Sequence, residues 1–246
     1  TLSLHDALPI SPSSANPGET LRVSVPTLSE NLLLVPGTLA LRFDLAIQPD
    51  TADARCCVNN IARNIVRRMK VTFAGEALLD LDRYDLYKTY KDLFMWPKDR
   101  KELVEWGIGD VAVREVRSST SGATDADGVL LKAAYGTKYV IPLDFEVLSN
   151  HGVFYSRVLG AEMQFEVTLA DTTNILGEMT TAISGAVHPY SMTNIELQYE
   201  TVHSETLARS AMAEYAAGKA FLYDHITLYK TSSFLDKTDE LIMQTV

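Results

Sequence analysis

The feature that most limits what this chain can fold into is an apolar period of two. Over residues 38–47, Leu39, Leu41, Phe43, Leu45 and Ile47 fall on one side and Thr38, Ala40, Arg42, Asp44 and Ala46 on the other. A strand with one buried face requires this, because successive side chains point to opposite faces. Gly37 opens the run and Pro49 closes it. The alternation recurs at Leu21, Val23, Val25; at Ile65, Arg67, Met69, Val71, Phe73; and at Tyr139, Ile141, Leu143, Phe145, Val147. It recurs again at Met163, Phe165, Val167, Leu169; at Ile195, Leu197, Tyr199; and at Phe221, Tyr223, His225, Thr227. Pro142 lacks an N–H and favours an edge or bulged strand in its run. Seven such runs, with no strand–helix–strand rhythm, predict a mainly β protein, an antiparallel sandwich rather than a parallel sheet. Ala74-Gly75-Glu76 predicts a tight turn between two of the strands.

Helical signals interrupt the pattern at three places. Over 82–95, Tyr84, Tyr87, Lys91 and Phe94 fall at helical spacing and Pro97 ends the run. A second short helix is expected over 98–106, closed by Gly107. The third, 204–217, has Ser204 as N-cap, an Ala-rich body and Gly218 as its stop; lying between strand-rich parts, it reads as a connector. The polar stretches 117–128 and 171–186 read as long exposed loops, where a sandwich commonly makes its contacts to partners.

Composition narrows the functions such a sandwich can serve. The 246 residues carry 22 Lys+Arg against 32 Asp+Glu, a formal net charge of −10. Broad capture of nucleic acid or anionic lipid needs clustered cations, so this balance argues against it. The length suits one large domain, or one domain and a piece of another. No stretch approaches 18 consecutive apolar residues, so no membrane-spanning helix is encoded. Cys56 and Cys57 are adjacent, where a disulfide would close a strained ring, and neither has a partner at metal-ligand spacing. Two free thiols, and hence a reducing compartment, are expected.

Both ends look unlike natural termini. Residues 1–10, TLSLHDALPI, lack an initiating Met and the charged and apolar regions of a secretory signal. The decapeptide resembles the translation of sequencing-adapter read-through in assembled environmental sequence. It is therefore set outside the fold with His5, as part of an artefactual or disordered leader over 1–19. The chain stops on an alternating run, 241–246, with no turn or polar tail. A metagenomic fragment of a longer protein is expected.

Catalytic chemistry is hard to find. Asp144 and Glu146 would share the polar face of one strand about 7 Å apart, a spacing open to acid–base work on a glycosidic bond. Outward charges are also the ordinary solvent face of such a strand. His151, His188, His203 and His225 are scattered, without the spacing that brings two imidazoles onto one metal, which also weakens a metal-cupin reading. No nucleophile elbow, phosphate-binding loop, dinucleotide fingerprint or calcium loop is present. The expectation is a non-enzyme with no catalytic residue, no metal and no cofactor. The basic cluster Arg63, Arg67, Arg68, Lys70 would be split between two faces of a strand, so it reads as solvated or as intersubunit salt bridges. Tyr84, Tyr87, Trp96 and Trp106, in the central helical region, suit either an interface or a core.

The order of segments carries a resemblance. VPTL, LVPGTLALRFDL, NNIARNIVRRMKV, FAGEALLDLDRYDLYKTYKDLF, IPLDFEVLSNHGVFY, MQFEVTLA and MTNIELQYETVHSETLA, in that succession, resemble the major capsid proteins of Polinton (Maverick) elements and adintoviruses, which are hexon-like double jelly-roll proteins. The resemblance spans about residues 21–228 and lies in the order and spacing of several motifs. It implies a first jelly roll over 20–202 with a helical insertion at 82–106, a connector helix at 203–218, and the first strands of a truncated second roll at 219–246. It also implies a structural role: homotrimeric, pseudo-hexagonal capsomers tiling an icosahedral virion capsid, assembled inside the host cell. The implied partners are the chain itself, with penton and minor capsid proteins as further candidates, and without sequence-specific nucleic-acid binding. On that reading Tyr84, Tyr87, Trp96, Trp106, Arg67 and Arg68 are the candidate intersubunit contacts. The competing expectations are a carbohydrate-binding or glycosidase-like sandwich using Asp144 and Glu146, and a plain single-roll interaction module.

Overall fold

The computed structural model describes residues 3–9, 13–47, 55–57, 61–96, 98–99, 114–116, 138–149, 152–178 and 190–226. They build two antiparallel sheets around one core. The first sheet contains β1 (Ser3–Pro9), β2 (Ser14–Ala15), β4 (Leu32–Leu34), β5 (Ala40–Ile47), β10 (Lys138–Pro142) and β13 (Tyr190–His203). Its order is β1-β13-β5-β10, with β2 and β4 also paired to β13. The second sheet runs β3 (Thr20–Ser24), β11 (Met163–Leu169), β7 (Val66–Phe73), β8 (Glu76–Leu81). A small third sheet joins β12 (Leu176–Glu178), β6 (Arg55–Cys57) and β9 (Arg114–Val116). Each large sheet interleaves early and late strands, the wrap of a jelly roll built from Greek keys.

The alternation read from the sequence is what closes this sandwich. In β11, Met163, Phe165, Val167 and Leu169 are buried while Gln164, Glu166 and Thr168 stay half-exposed. Register places Phe165 beside Val23 of β3 and Val71 of β7, so one apolar row crosses three strands. The facing sheet supplies Leu41, Phe43, Ile141 and Met192, all essentially fully buried. Phe43 also stacks on Tyr139 with ring centroids 5.8 Å apart. Each such large side chain contributes roughly 1.5–3 kcal/mol when removed from water.

Local chemistry sets the joints. The hairpin between β7 and β8 turns on Ala74 and Gly75, both at positive φ (51° and 87°), with Phe73 paired to Glu76. Two consecutive positive-φ residues match the right-handed twist of the flanking strands. Helix α5 (Glu205–Ala216) starts where Ser204 Oγ accepts a hydrogen bond from the Leu207 amide at 3.3 Å, and Gly218 stands just beyond its end at φ 82°. Its inner face buries Ala208 and Ala211 against Leu33 and Tyr155. Short helices α1 (Ile61–Asn64), α3 (Glu146–Ser149) and α4 (Thr172–Ile175), the longer α2 (Tyr84–Leu93) and a 3₁₀ turn at Ser156–Val158 are further described helical segments.

Several expectations need correction. The leader set outside the fold supplies β1 and β2, both on β13, and Ala15 is buried in the core. An extended chain next to an open strand edge satisfies both sets of backbone groups by pairing, whatever its side chains. The alternation over Tyr139–Val147 holds as a strand only to Pro142; Leu143 to Val147 continue as a bend and the helical turn α3. Pro142 closes the pairing of β10 at the sheet edge, opposite Ala40. In β7, Ile65 and Val66 are both buried and Arg67 and Arg68 both point outward, because the register with β11 shifts at Leu169, which pairs with Val66. The loop expected over 171–186 contains α4 and β12. Phe221 to Ile226 form no strand; Phe221 packs edge-on against Tyr215 and Phe154, at 5.4 and 6.3 Å, and Tyr223 lies against Phe145 at 5.5 Å. Trp106, His151, His188, the loop 117–128, most of the helix expected over 98–106, and the terminal run 241–246 lie outside the described residues.

Candidate functional site

Helix α2 follows β8 and packs on α1 and β7. Its inner face brings charges into the fold beside the rings of Tyr84 and Tyr87, which pack on the core. Arg83, just before it, makes a bidentate pair with Asp85 at 2.9 and 2.7 Å. Lys88 Nζ donates to both oxygens of Asp144 at 2.9 and 2.8 Å, and Tyr84 Oη donates to the same carboxylate at 3.4 Å. Arg63 of α1, itself buried, donates from Nε to Asp92 at 3.3 Å. Tyr84, Asp85 and Asp92 are all buried in consequence.

These pairs fix the charge states. Burial alone would raise the Asp144 carboxyl, but Lys88 and then Arg63 outweigh it and hold it below the ordinary carboxylate range. Burial, with the neighbouring Asp144 charge, pushes the Tyr84 phenol well above its ordinary value, so it stays a neutral donor.

The outer face of α2 is apolar. Leu86, Tyr90, Leu93 and Phe94 lie at helical spacing and are 53%, 60%, 65% and 72% exposed, and Trp96, beyond the helix end, is 78% exposed. Tyr90 and Phe94 meet edge to face at 5.0 Å. Contiguous exposed apolar surface of this kind marks contact sites on soluble proteins. Among the aromatic residues singled out from sequence, Trp96 belongs to this surface, Tyr87 is half-buried, and Tyr84 is in the core. Leu86, Tyr90, Leu93 and Phe94 were missed as surface residues. Their spacing of four, three and one was visible, but a helix with apolar residues on two sides does not say which side faces inward.

The basic cluster is committed to this chain's own acids. Arg68 forms a bidentate pair with Asp80 across the β7–β8 hairpin at 2.7 Å in both arms. That hydrogen bond lowers the Asp80 carboxyl and raises the Arg68 guanidinium further. Arg67 reaches Asp171 at 3.0 Å and Asp82 at 3.6 Å. Glu166 of β11 lies between Lys70 at 3.7 Å and Arg22 of β3 at 3.3 Å. The outer face of the second sheet is thus a lattice of alternating charge rather than a cationic strip.

Asp144 and Glu146 do not form an acid–base pair on a strand. Asp144 is held by Lys88, and Glu146, in α3, accepts from the Asp224 backbone amide at 2.7 Å. Both line a small, partly open pocket with Tyr84, Lys88, Phe145 and Ile226, whose volume of about 40 Å³ has room for a few waters. Among the described residues no group of three His, Cys, Asp or Glu could hold a metal, and His203 and His225 are both exposed and on different segments. No described helix is long and apolar enough to cross a membrane. Cys56 and Cys57 lie in β6.

No family model matches the sequence, and no curated protein matches it. Solved structures do. A quasi-atomic model of the PBCV-1 virus capsid superposes with a TM-score of 0.51 at 14% identity, covering 87% of this chain and 45% of that one. The crystal structure of PBCV-1 VP54, as fitted into a cryo-EM reconstruction of the virophage Sputnik, gives 0.53 at 15% identity, with 86% and 45% covered. The chain therefore spans about half the length of the capsid chains it matches. At these identities the likeness shows the fold, an antiparallel jelly-roll sandwich shared with viral capsid proteins.

Proposed function

We propose that the chain is a structural capsid protein, acting through self-assembly and without catalysis. The observation that carries this reading is the superposition of nearly the whole jelly roll on viral capsid chains. A second supports it: Lys88 with Asp144, Arg63 with Asp92 and Arg68 with Asp80 hold α2 and a sheet face in place, while large apolar side chains stand exposed. A tile needs a stiff body and sticky faces.

The finer form of the proposal is a hexon-like major capsid protein of the Polinton and adintovirus kind. Residues 20–202, with β1 and β2 added at the sheet edge, are its first jelly roll, 203–218 the connector, and 219 onward the approach to a second roll, with three copies forming a pseudo-hexagonal capsomer of a virion assembled inside the host cell. The coverage of about 45% of each matched chain supports a second roll beyond this one. The sequence order of the motifs supports the family. Penton and minor capsid proteins are the further partners of such a shell, and nucleic acid is not gripped by sequence.

The test is the size of the particle made by the complete reading frame that encodes this chain. Multi-angle light scattering is expected to give three subunits. A product that stays monomeric at every concentration refutes the proposal, as does sugar release or glycan binding that Asp144→Ala abolishes.

A further inference from the structure

We infer that the outer face of α2, made by Leu86, Tyr90, Leu93 and Phe94 with Trp96, is a docking surface for a second copy of this chain. The inference rests on the capsid reading and deepens it by naming the contact. Three observations carry it. The helix turns Asp85, Lys88 and Asp92 inward beside Tyr84 and Tyr87, and leaves Leu86, Tyr90 and Leu93 outside. An apolar face kept outside at the expense of buried charges is matched to something other than water.

Next, the face is held rigid. Lys88–Asp144 and Arg63–Asp92 tie α2 to neighbouring elements near its middle and its end, so docking orders little that is not already ordered. Its size also fits. Aromatic side chains cover roughly 150–250 Å² each, so three rings 60–78% exposed, with two leucines, offer on the order of 600 Å². That is most of the roughly 800 Å² per partner in a standard protein interface.

The rim points to a copy of the same chain. Lys91, next to Tyr90 in the chain, is exposed on a protein whose net charge is −10. A second copy of so acidic a chain suits that edge, whereas a nucleic acid or anionic membrane would meet too few cations.

The test uses the 246-residue chain with p-benzoylphenylalanine in place of Phe94, irradiated as an equal mixture of ¹⁵N-labelled and unlabelled protein. The expected product has twice the subunit mass and joins a labelled to an unlabelled peptide. Linkage only within one chain, or only to host protein, overturns the inference. In parallel, sedimentation velocity compares the parent chain with the Leu93→Ser, Phe94→Ser variant. The expected result is self-association weakened tenfold or more, with the thermal midpoint unchanged because both positions are exposed. Equal association in parent and variant overturns this contact and leaves the capsid reading standing. A parent that never associates overturns this contact, and a complete reading frame whose product also stays monomeric overturns the capsid reading.

Discussion

Replacing Lys88 by Met tests whether buried charge, rather than apolar packing, holds α2 in place. Met keeps the length of the stem and removes the ammonium that bridges both oxygens of Asp144 at 2.8 and 2.9 Å. The Lys88 side chain is 13% exposed and that of Asp144 34%, which places the pair between two known regimes. Removing one partner of a fully buried pair costs about 3–5 kcal/mol, because the remaining charge is stranded. Exposed pairs contribute about 0–1 kcal/mol. Asp144 in the variant keeps the Tyr84 hydroxyl and the field of Arg63, so about 2 kcal/mol is expected. In a chain of this size 1 kcal/mol moves the melting midpoint by roughly 2–4 °C, giving a fall of about 4–8 °C by calorimetry. The control is Arg209→Met, which removes an i,i+4 partner of Glu205 whose side chains are 77% and 61% exposed and should cost less than about 0.5 kcal/mol. Combining Lys88→Met with Asp144→Asn should reveal a coupling of at least about 1 kcal/mol. A midpoint unchanged to within about 1 °C, or additive single effects, would show that the ion pair does not anchor the helix.

Other outcomes follow from the same geometry. Asp144 and Asp80 both have carboxyls held below their ordinary range, so their stabilisation is complete above about pH 5 and fades as pH falls through the lower folded values. The urea midpoint should drop between pH 5 and pH 3, and a flat or rising midpoint refutes this. Ala74 sits at φ 51° beside Gly75, a conformation that costs an alanine about 1–2 kcal/mol and an asparagine less. Ala74→Asn should therefore raise the melting midpoint by a degree or more, and a lower midpoint counts against the turn as described. Phe165→Ala, at the centre of the second sheet, should cost about 3–5 kcal/mol; a loss below 1 kcal/mol would place that ring outside the core.

Much of the sandwich was legible because alternation is a local signal. Leu39 to Ile47, Met163 to Leu169, the Ala74-Gly75 turn and the Ser204 cap can each be read from fewer than a dozen adjacent residues. What escaped depends on distant partners. The run after Pro142 alternates as cleanly as any strand, yet beyond Leu143, whose amide still donates to the Leu39 carbonyl at 2.9 Å, the chain curls into α3. Arg67 and Arg68 share a face because β11 shifts register opposite them, a hundred residues further along the chain. The orientation of α2 was hidden for the same reason: Arg63 and Asp144, which draw its polar side inward, belong to other elements. The trace of strand β1 was hidden by a sequence that looked foreign to the protein.

Strand β13 has fourteen residues and pairs with β1 and β2 along one edge and with β5 and β4 along the other. During synthesis it is the last strand of the first sheet to leave the ribosome. At roughly 5–20 residues per second, the ~140 residues between Ile47 and Tyr190 take on the order of 10 s to appear. Through that interval the nascent β1, β2 and β4 have no sheet to join, and β5 can find only β10. The roll therefore closes in one late event, and a cell making many copies at once holds a standing pool of chains with open edges, which is where chaperone demand should fall.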